Sequence, residues 1–213
     1  MNILHIDSSP FEFGSVSREL TADVVSAWKK RYPFGTVTYR DVGANPPAHL
    51  SAEVMNALHN GNRGVLSEAG QKEFATINRA VDELINCDAL VIGAPMYNYS
   101  VSSNLKAWLD QISQAGRTFR HTAGGPVGLV PDKPVYLVSS RGGVYSRGEG
   151  RLHDFQEPYL LSILGFLGLT DVTIIRAEGV SLSPAAKNAA MAKARQLIGT
   201  LFRAETALYA SVA

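Results

Sequence analysis

Three stretches of the chain carry side chains whose type and spacing point to ligand chemistry. The first, SSPFEFGSVS at 8–17, is rich in hydroxyls and runs straight into a helical pattern. Ser9, Ser15 and Ser17 therefore stand beside N–H groups that lack partners inside the helix, at the positive end of its dipole. That combination suits a terminal phosphate, with Val16 adding only its backbone N–H. A helix cap in a surface loop explains the serines as well, and Arg18 is expected to point away. The second stretch is APMYNY at 94–99. Met96, Tyr97 and Tyr99 stand where a solvated loop is normally polar. Such residues can lie along a flat aromatic ring, and Asn98 can both donate to and accept from its heteroatoms. A loop packed on its own core is the competing reading. The third is SRGG at 140–143. Gly142 and Gly143 let the backbone approach a ligand or form a tight turn; Ser140 can bond, and Arg141 faces an anion or solvent.

Other chemistries find little support. His5, His49, His59, His121 and His153 show no metal-ligand spacing. No GxxxxGK[ST] and no GxGxxG follows the first strand, against a nucleoside triphosphate or a Rossmann dinucleotide site. Cys87 is the only cysteine, so no internal disulfide forms, and its apolar setting reads as a buried structural thiol.

These three loops need elements to hold them. Apolar runs predict strands at 2–7, 36–41, 88–93, 134–140 and 171–177. Helical spacing predicts helices at 17–31, 68–86, 104–115, 155–168 and 184–203, with Ser15 or Ser17 capping the first. The stretch 43–64 reads as short helices punctuated by Pro and Gly, and 116–131 and 141–152 read as loops. Alternating strands and helices imply a parallel sheet with right-handed crossovers and helices on both faces. Five strands fit a flavodoxin-like α/β fold of order 2-1-3-4-5, in which ligands bind at the strands' carboxyl ends near the switch point. All three loops then fall at that edge, after strands 1, 3 and 4.

Composition permits this and excludes alternatives. The 213 residues are 46% hydrophobic and 18% charged, enough for one domain over 1–213 with a full core. A net charge of +1 argues against nucleic acid and against a strongly acidic partner-steering surface. No apolar run approaches a membrane span and no secretory signal is evident, so the expected location is cytoplasmic.

The motifs together resemble the FMN-dependent NADH azoreductases, also described as FMN-dependent NADH:quinone oxidoreductases. The matching pieces are SSP with SVS, APMYNY, GRTFR at 116–120, GPVGLV at 125–130, SSRGG, and GFLGLTDV with RAEG at 165–179. The resemblance implies a homodimer with a flavin site near the subunit interface. It implies that Ser9, Ser15, Val16 and Ser17 hold the FMN phosphate, that Met96, Tyr97, Asn98 and Tyr99 border the ring, and that Ser140, Arg141, Gly142 and Gly143 meet its polar edge. Phe119 and Phe155 would face substrate, with His121 and Tyr145 near them. The implied reaction is ping-pong: NADH or NADPH gives hydride to the flavin N5, and a quinone or azo compound then takes two electrons. No side-chain nucleophile is needed. Tyr99 departs from the phenylalanine common at its position, and the segment Val144, Tyr145, Ser146 and Arg147 is variable. A flavodoxin-type electron carrier and an NADPH-dependent FMN reductase are the alternatives.

Overall fold

The computed structural model describes residues 1–60 and 66–203, without the side chains of 59 and 60. His59, the end of the 43–64 stretch and residues 204–213 of the expected domain lie outside the described residues. The strands are β1 (Asn2–Asp7), β2 (Thr36–Asp41), β3 (Ala89–Pro95), β4 (Phe119–Thr122), β5 (Gly125–Gly128), β6 (Val135–Arg141) and β7 (Val172–Glu178). The helices are α1 (Val16–Arg31), α2 (Ala52–Asn60), α3 (Glu68–Asn86), α4 (Ser103–Ile112), α5 (Glu157–Leu167) and α6 (Pro184–Leu201).

Five parallel strands form the main sheet, in the order β2-β1-β3-β6-β7. Counted among themselves these are strands 2-1-3-4-5, the expected order. Only the labels shift, because an antiparallel hairpin takes the places of β4 and β5. The central strand β3 is buried at all seven positions, while the edge strand β2 has none buried. Central parallel strands covered on both faces read as unbroken apolar runs, which is why ALVIGAP shows no alternation.

Each face of the sheet has its own core. On one, Leu4, Ile6, Leu90 and Ile92 meet Val81 and Leu84 of α3, Leu105 and Leu109 of α4, and Leu160 and Leu164 of α5. On the other, Ile3, Val91, Val138 and Ile175 meet Leu20, Val24 and Trp28 of α1 and Met191 and Ile198 of α6. The spacing of four along α1 places its apolar residues in one stripe. Cys87 is buried at the end of α3, and burial pushes its thiol up from the ordinary range.

Two stretches read as loops hold structure. The 116–131 segment contains the β4–β5 hairpin, held by the Thr122 Oγ1 bond to the Gly125 carbonyl at 2.7 Å and the Leu129 N–H bond to Thr118 at 2.9 Å. Its strands are short and mostly exposed, and Pro126 removes a donor, so neither alternation nor β-propensity reveals it. The 141–152 segment ends in a 3-10 turn, Gly148–His153. The last helix ends two residues short of the expected boundary and the 104–115 helix three residues short, at Ile112.

Candidate functional site

The carboxyl ends of β1, β3 and β6 bring the three loops together, and named bonds lock them. Ser8 Oγ donates to the Gly93 carbonyl at 2.6 Å, and Ser102 Oγ donates to the Ser8 carbonyl at 3.2 Å. The Met96 N–H bonds the Ser140 carbonyl at 2.8 Å, and Gln156 Nε2 bonds the Ala94 carbonyl at 2.9 Å. These contacts span up to 94 positions in sequence, so the site is a property of the sheet rather than of any one segment.

In the first loop Ser15 caps α1, its Oγ accepting from the Arg18 N–H at 3.5 Å and lying 3.2 Å from Ser17 Oγ. Ser9, Ser15 and Ser17 are all buried. Arg18, expected to point away, instead turns back. Its Nη2 donates to the Ser9 carbonyl at 2.7 Å, and both terminal nitrogens pair with Asp41, at 2.7 and 2.6 Å. Asp7 lies 3.7 Å from the same guanidinium. The hydrogen bond to Asp41 holds the Arg18 pKa above its ordinary value despite burial. Burial, then the Asp7 and Asp41 charges, push the Tyr39 hydroxyl up to about 12, so it stays protonated and donates to Asp7 at 3.1 Å. Gly43 closes over this clamp: a Cβ there would fall 2.0 Å from the Ser9 carbonyl oxygen, so only glycine fits.

In the second loop Tyr97 and Ser100 exchange backbone bonds of 2.9 Å in each direction. Between them Asn98 has φ 47° and Tyr99 φ 69°, the mirror-image turn with both central residues left-handed. No other non-glycine residue among the described ones has positive φ. Asparagine tolerates this conformation; tyrosine adopts it at a cost of about 1–2 kcal/mol. Strain held by surrounding contacts marks a position set for a ligand. The contacts here are a Phe155 N–H bond to the Tyr99 carbonyl at 3.0 Å, His153 packed on the Tyr99 ring at 5.1 Å, and Tyr145 edge-on to it at 6.1 Å. A cavity of about 650 Å³ opens beside the turn, bounded by Pro10, Tyr97, Asn98, Asn104 and Tyr159.

In the third loop the Arg141 side chain does not face solvent or an open anion site. It is buried and ion-paired with Asp154 at 3.0 Å and Glu157 at 2.7 Å. Its Nε bonds Ser139 Oγ and Gln156 Oε1, each at 3.0 Å. Glu178 accepts from the Tyr145 and Ser146 N–H groups at 3.0 and 3.1 Å and from the Ser146 hydroxyl. Burial would raise the Glu178 carboxyl, but these donors and Arg141 hold it below the ordinary range. The carbonyls of Arg141, Gly142 and Gly143 accept from Val180, Ser181 and Gly179. That turns them toward the connection after β7 and leaves the Ser140–Gly143 backbone to present N–H groups on its other side.

A family model described as the flavodoxin-like fold matches residues 1–201. An FMN-dependent NADH:quinone oxidoreductase of Azospirillum brasilense is 50% identical over 202 residues, covering 94% of this chain and 97% of that protein. One from Acidovorax ebreus is 48% identical over 208 residues, 97% of this chain and 96% of that protein. The chain belongs to this flavodoxin-like oxidoreductase family.

Among solved structures, an azoreductase from Bacillus anthracis superposes with a TM-score of 0.86 at 25% identity, covering 95% of this chain and 98% of that one. An FMN-dependent NADH-azoreductase from the same species, in complex with FMN, shares the fold at a TM-score of 0.84 and 23% identity, covering 94% and 98%. Within the oxidoreductase, Tyr145 and Phe155 lie beside Tyr99, but Phe119 and His121 do not. They sit on the hairpin, where Phe119 packs on Phe166 at 4.4 Å and on His121 at 5.4 Å. Phe166 is nine residues along α5 from Glu157, about 13 Å from the helix's site end. The supporting residues Arg18, His153, Gln156 and Glu178 were not singled out by sequence reasoning. The one sequence signal for Gln156 and Glu178 is that each directly adjoins a stretch already of interest.

Proposed function

We propose that this oxidoreductase binds FMN at the carboxyl edge of β1, β3 and β6 and passes electrons from NADH or NADPH to quinones or azo compounds by a ping-pong mechanism. One observation carries the reading: a buried serine cluster at the N-terminus of α1 stands bonded to a left-handed turn rimmed by aromatic rings. The residues fit the flavin on their own chemistry. Ser9, Ser15 and Ser17, with the free N–H groups of α1, match a phosphate. Met96, Tyr97, Asn98 and Tyr99 match a flat ring, and the amides of Gly142 and Gly143 match its electron-rich edge as an oxyanion hole matches developing charge. FMN supplies reversible two-electron chemistry when bound, which lets donor and acceptor use one site in turn. The protein's part is to orient that ring and to leave one face open beneath Tyr99, Tyr145 and Phe155.

A homodimer completes the reading. Phe119 and His121 reach a flavin only from a second copy, and Val127 of β5 and Leu161 of α5 are exposed on the same side as the hairpin they would accompany. The cofactor test is an absorption spectrum of purified protein followed by anaerobic titration. Flavin bands that NADH or NADPH bleaches, and that menadione restores without a protein partner, are the expected result. A colourless protein that ignores added FMN sinks the proposal.

A further inference from the structure

A long groove on the outer edge of the sheet is used by nothing described so far. It runs between β7, the Val144–Arg147 connection and α6, with a volume of about 820 Å³, within the range of small-molecule sites. Three cations line it: Arg147, Arg176 and Lys193. Arg147 and Lys193 are exposed, and among the described residues neither side chain has a hydrogen bond or ion pair. Arg176 pairs with Glu157 at 2.6 Å yet keeps about a third of its side chain exposed, at 36%. The only acid lining the groove is Glu178, whose charge is taken up by Arg141, Ser146 and two backbone amides. Positive charge is therefore in excess. The floor is apolar, built from Ile174, Leu182 and Leu197 with alanines of α6, and Leu182 is 66% exposed.

The groove begins where the proposed flavin site ends. Tyr145 stands edge-on to Tyr99, and Arg147 follows two residues later, its Cα no more than about 7 Å from that of Tyr145. We propose that this groove receives the adenosine diphosphate half of the reduced nicotinamide donor, its diphosphate between Arg147 and Lys193 and its adenine against Leu182 and the α6 alanines. Charge complementarity selects this occupant. Quinones carry no diphosphate, whereas the dinucleotide joins an anionic link to a flat apolar base, and guanidinium and ammonium groups are suited to phosphate. The inference rests on the donor assignment above and adds where the part of the donor remote from the hydride is held. Binding energy from such remote parts sets KM and orients the reacting end.

The test compares NADH with 1-benzyl-1,4-dihydronicotinamide, a hydride donor without the adenosine diphosphate, using the FMN-loaded protein and menadione. The double variant Arg147→Ala/Lys193→Ala removes two unpaired surface side chains, so folding and FMN content, read by absorbance, should hold. The expected result is a KM for NADH raised about ten-fold, the scale of one lost charge-assisted contact, with the benzyl donor changed by less than about two-fold. ADP should inhibit the parent protein competitively against NADH and lose that effect in the variant. An unchanged KM for NADH, or an equal loss with both donors, overturns the groove assignment. If neither donor reduces the flavin of the parent protein, the donor assignment itself fails.

Discussion

Arg18 shows how a side chain that touches no ligand can govern one. It joins the Ser9 carbonyl to Asp41 and stands beside Asp7, so it both fixes the serine loop and neutralises two carboxylates behind it. Replacing it with methionine leaves those carboxylates facing the proposed phosphate site. The Arg18→Met protein should bind FMN about ten-fold or more weakly, while riboflavin, which lacks the phosphate, binds as before. Flavin fluorescence titration reads both, and equal weakening of the two would remove Arg18 from this role. Gly143 makes a second case: a Cβ there would come within 3.1 Å of the Tyr145 ring. Gly143→Val should displace Tyr145 and weaken FMN binding, and unchanged affinity would count against the assignment of that backbone. At this scale the ligand-facing loops were legible in the sequence because their residues are odd for their positions. Arg141 was not, because its partners Asp154, Glu157 and Glu178 lie 13 to 37 positions on and only the sheet register brings them inward. An arginine after a strand carries no local mark of whether it faces in or out.

The elements were legible in proportion to their burial. Central strands announce themselves as apolar runs, and α1, α3 and α4 as stripes, because the sheet core selects their residues. The β4–β5 hairpin is mostly exposed and has no such constraint, so nothing in FRHT or GPVG distinguishes it from a loop. The left-handed turn at Asn98 and Tyr99 is equally hidden, since Tyr99 contradicts the usual preference for glycine there. One element boundary rests on a residue of unusual burial. Lys133 is buried, and its Nζ donates to the carbonyls of Leu84, Ile85 and Cys87 at 2.8, 2.9 and 2.7 Å, satisfying the C-terminal end of α3. Lys133→Met keeps the apolar stem but strands those carbonyls. A loss of about 2 kcal/mol is expected, lowering the melting temperature by roughly 4–8 °C for a protein of this size. Thermal unfolding followed by circular dichroism checks it, and a melting temperature within 1 °C of the parent, roughly the noise of such a scan, would show that water replaces the ammonium.

At the scale of the molecule, the strand–helix alternation supplied the fold class, and five strands supplied the expected order. What no local pattern supplied is how the connections behind the sheet's carboxyl edge are stitched to one another. That stitching is largely carboxylate. Asp41 holds Arg18; burial would raise its carboxyl, but the Arg18 bond and the Ala44 amide lower it. Glu178 holds the Tyr145 and Ser146 amides and is also lowered. Asp132 accepts from Thr170 and Asp171 in the connection before β7, and the Thr170 hydroxyl and amide pull it down to about 2. Each folded-state pKa lies below its unfolded value, so each contribution is present above that unfolded value and is lost as pH falls through the folded one. With ordinary values of 3.8 for Asp41 and Asp132 and 4.5 for Glu178, the loss begins near pH 4.5 and continues toward about 2. Two of the three carboxylates hold the loops of the proposed flavin site, and the third lies far from it at the other end of the sheet. Acid should therefore release FMN before the fold melts: flavin fluorescence rises first, and far-ultraviolet circular dichroism falls at lower pH. Asp41→Asn should move the first transition toward neutral pH and leave the second nearly in place. Coincident transitions in the parent protein would mean that the site loops and the sheet open as one unit, and that the carboxylates do not hold the loops separately.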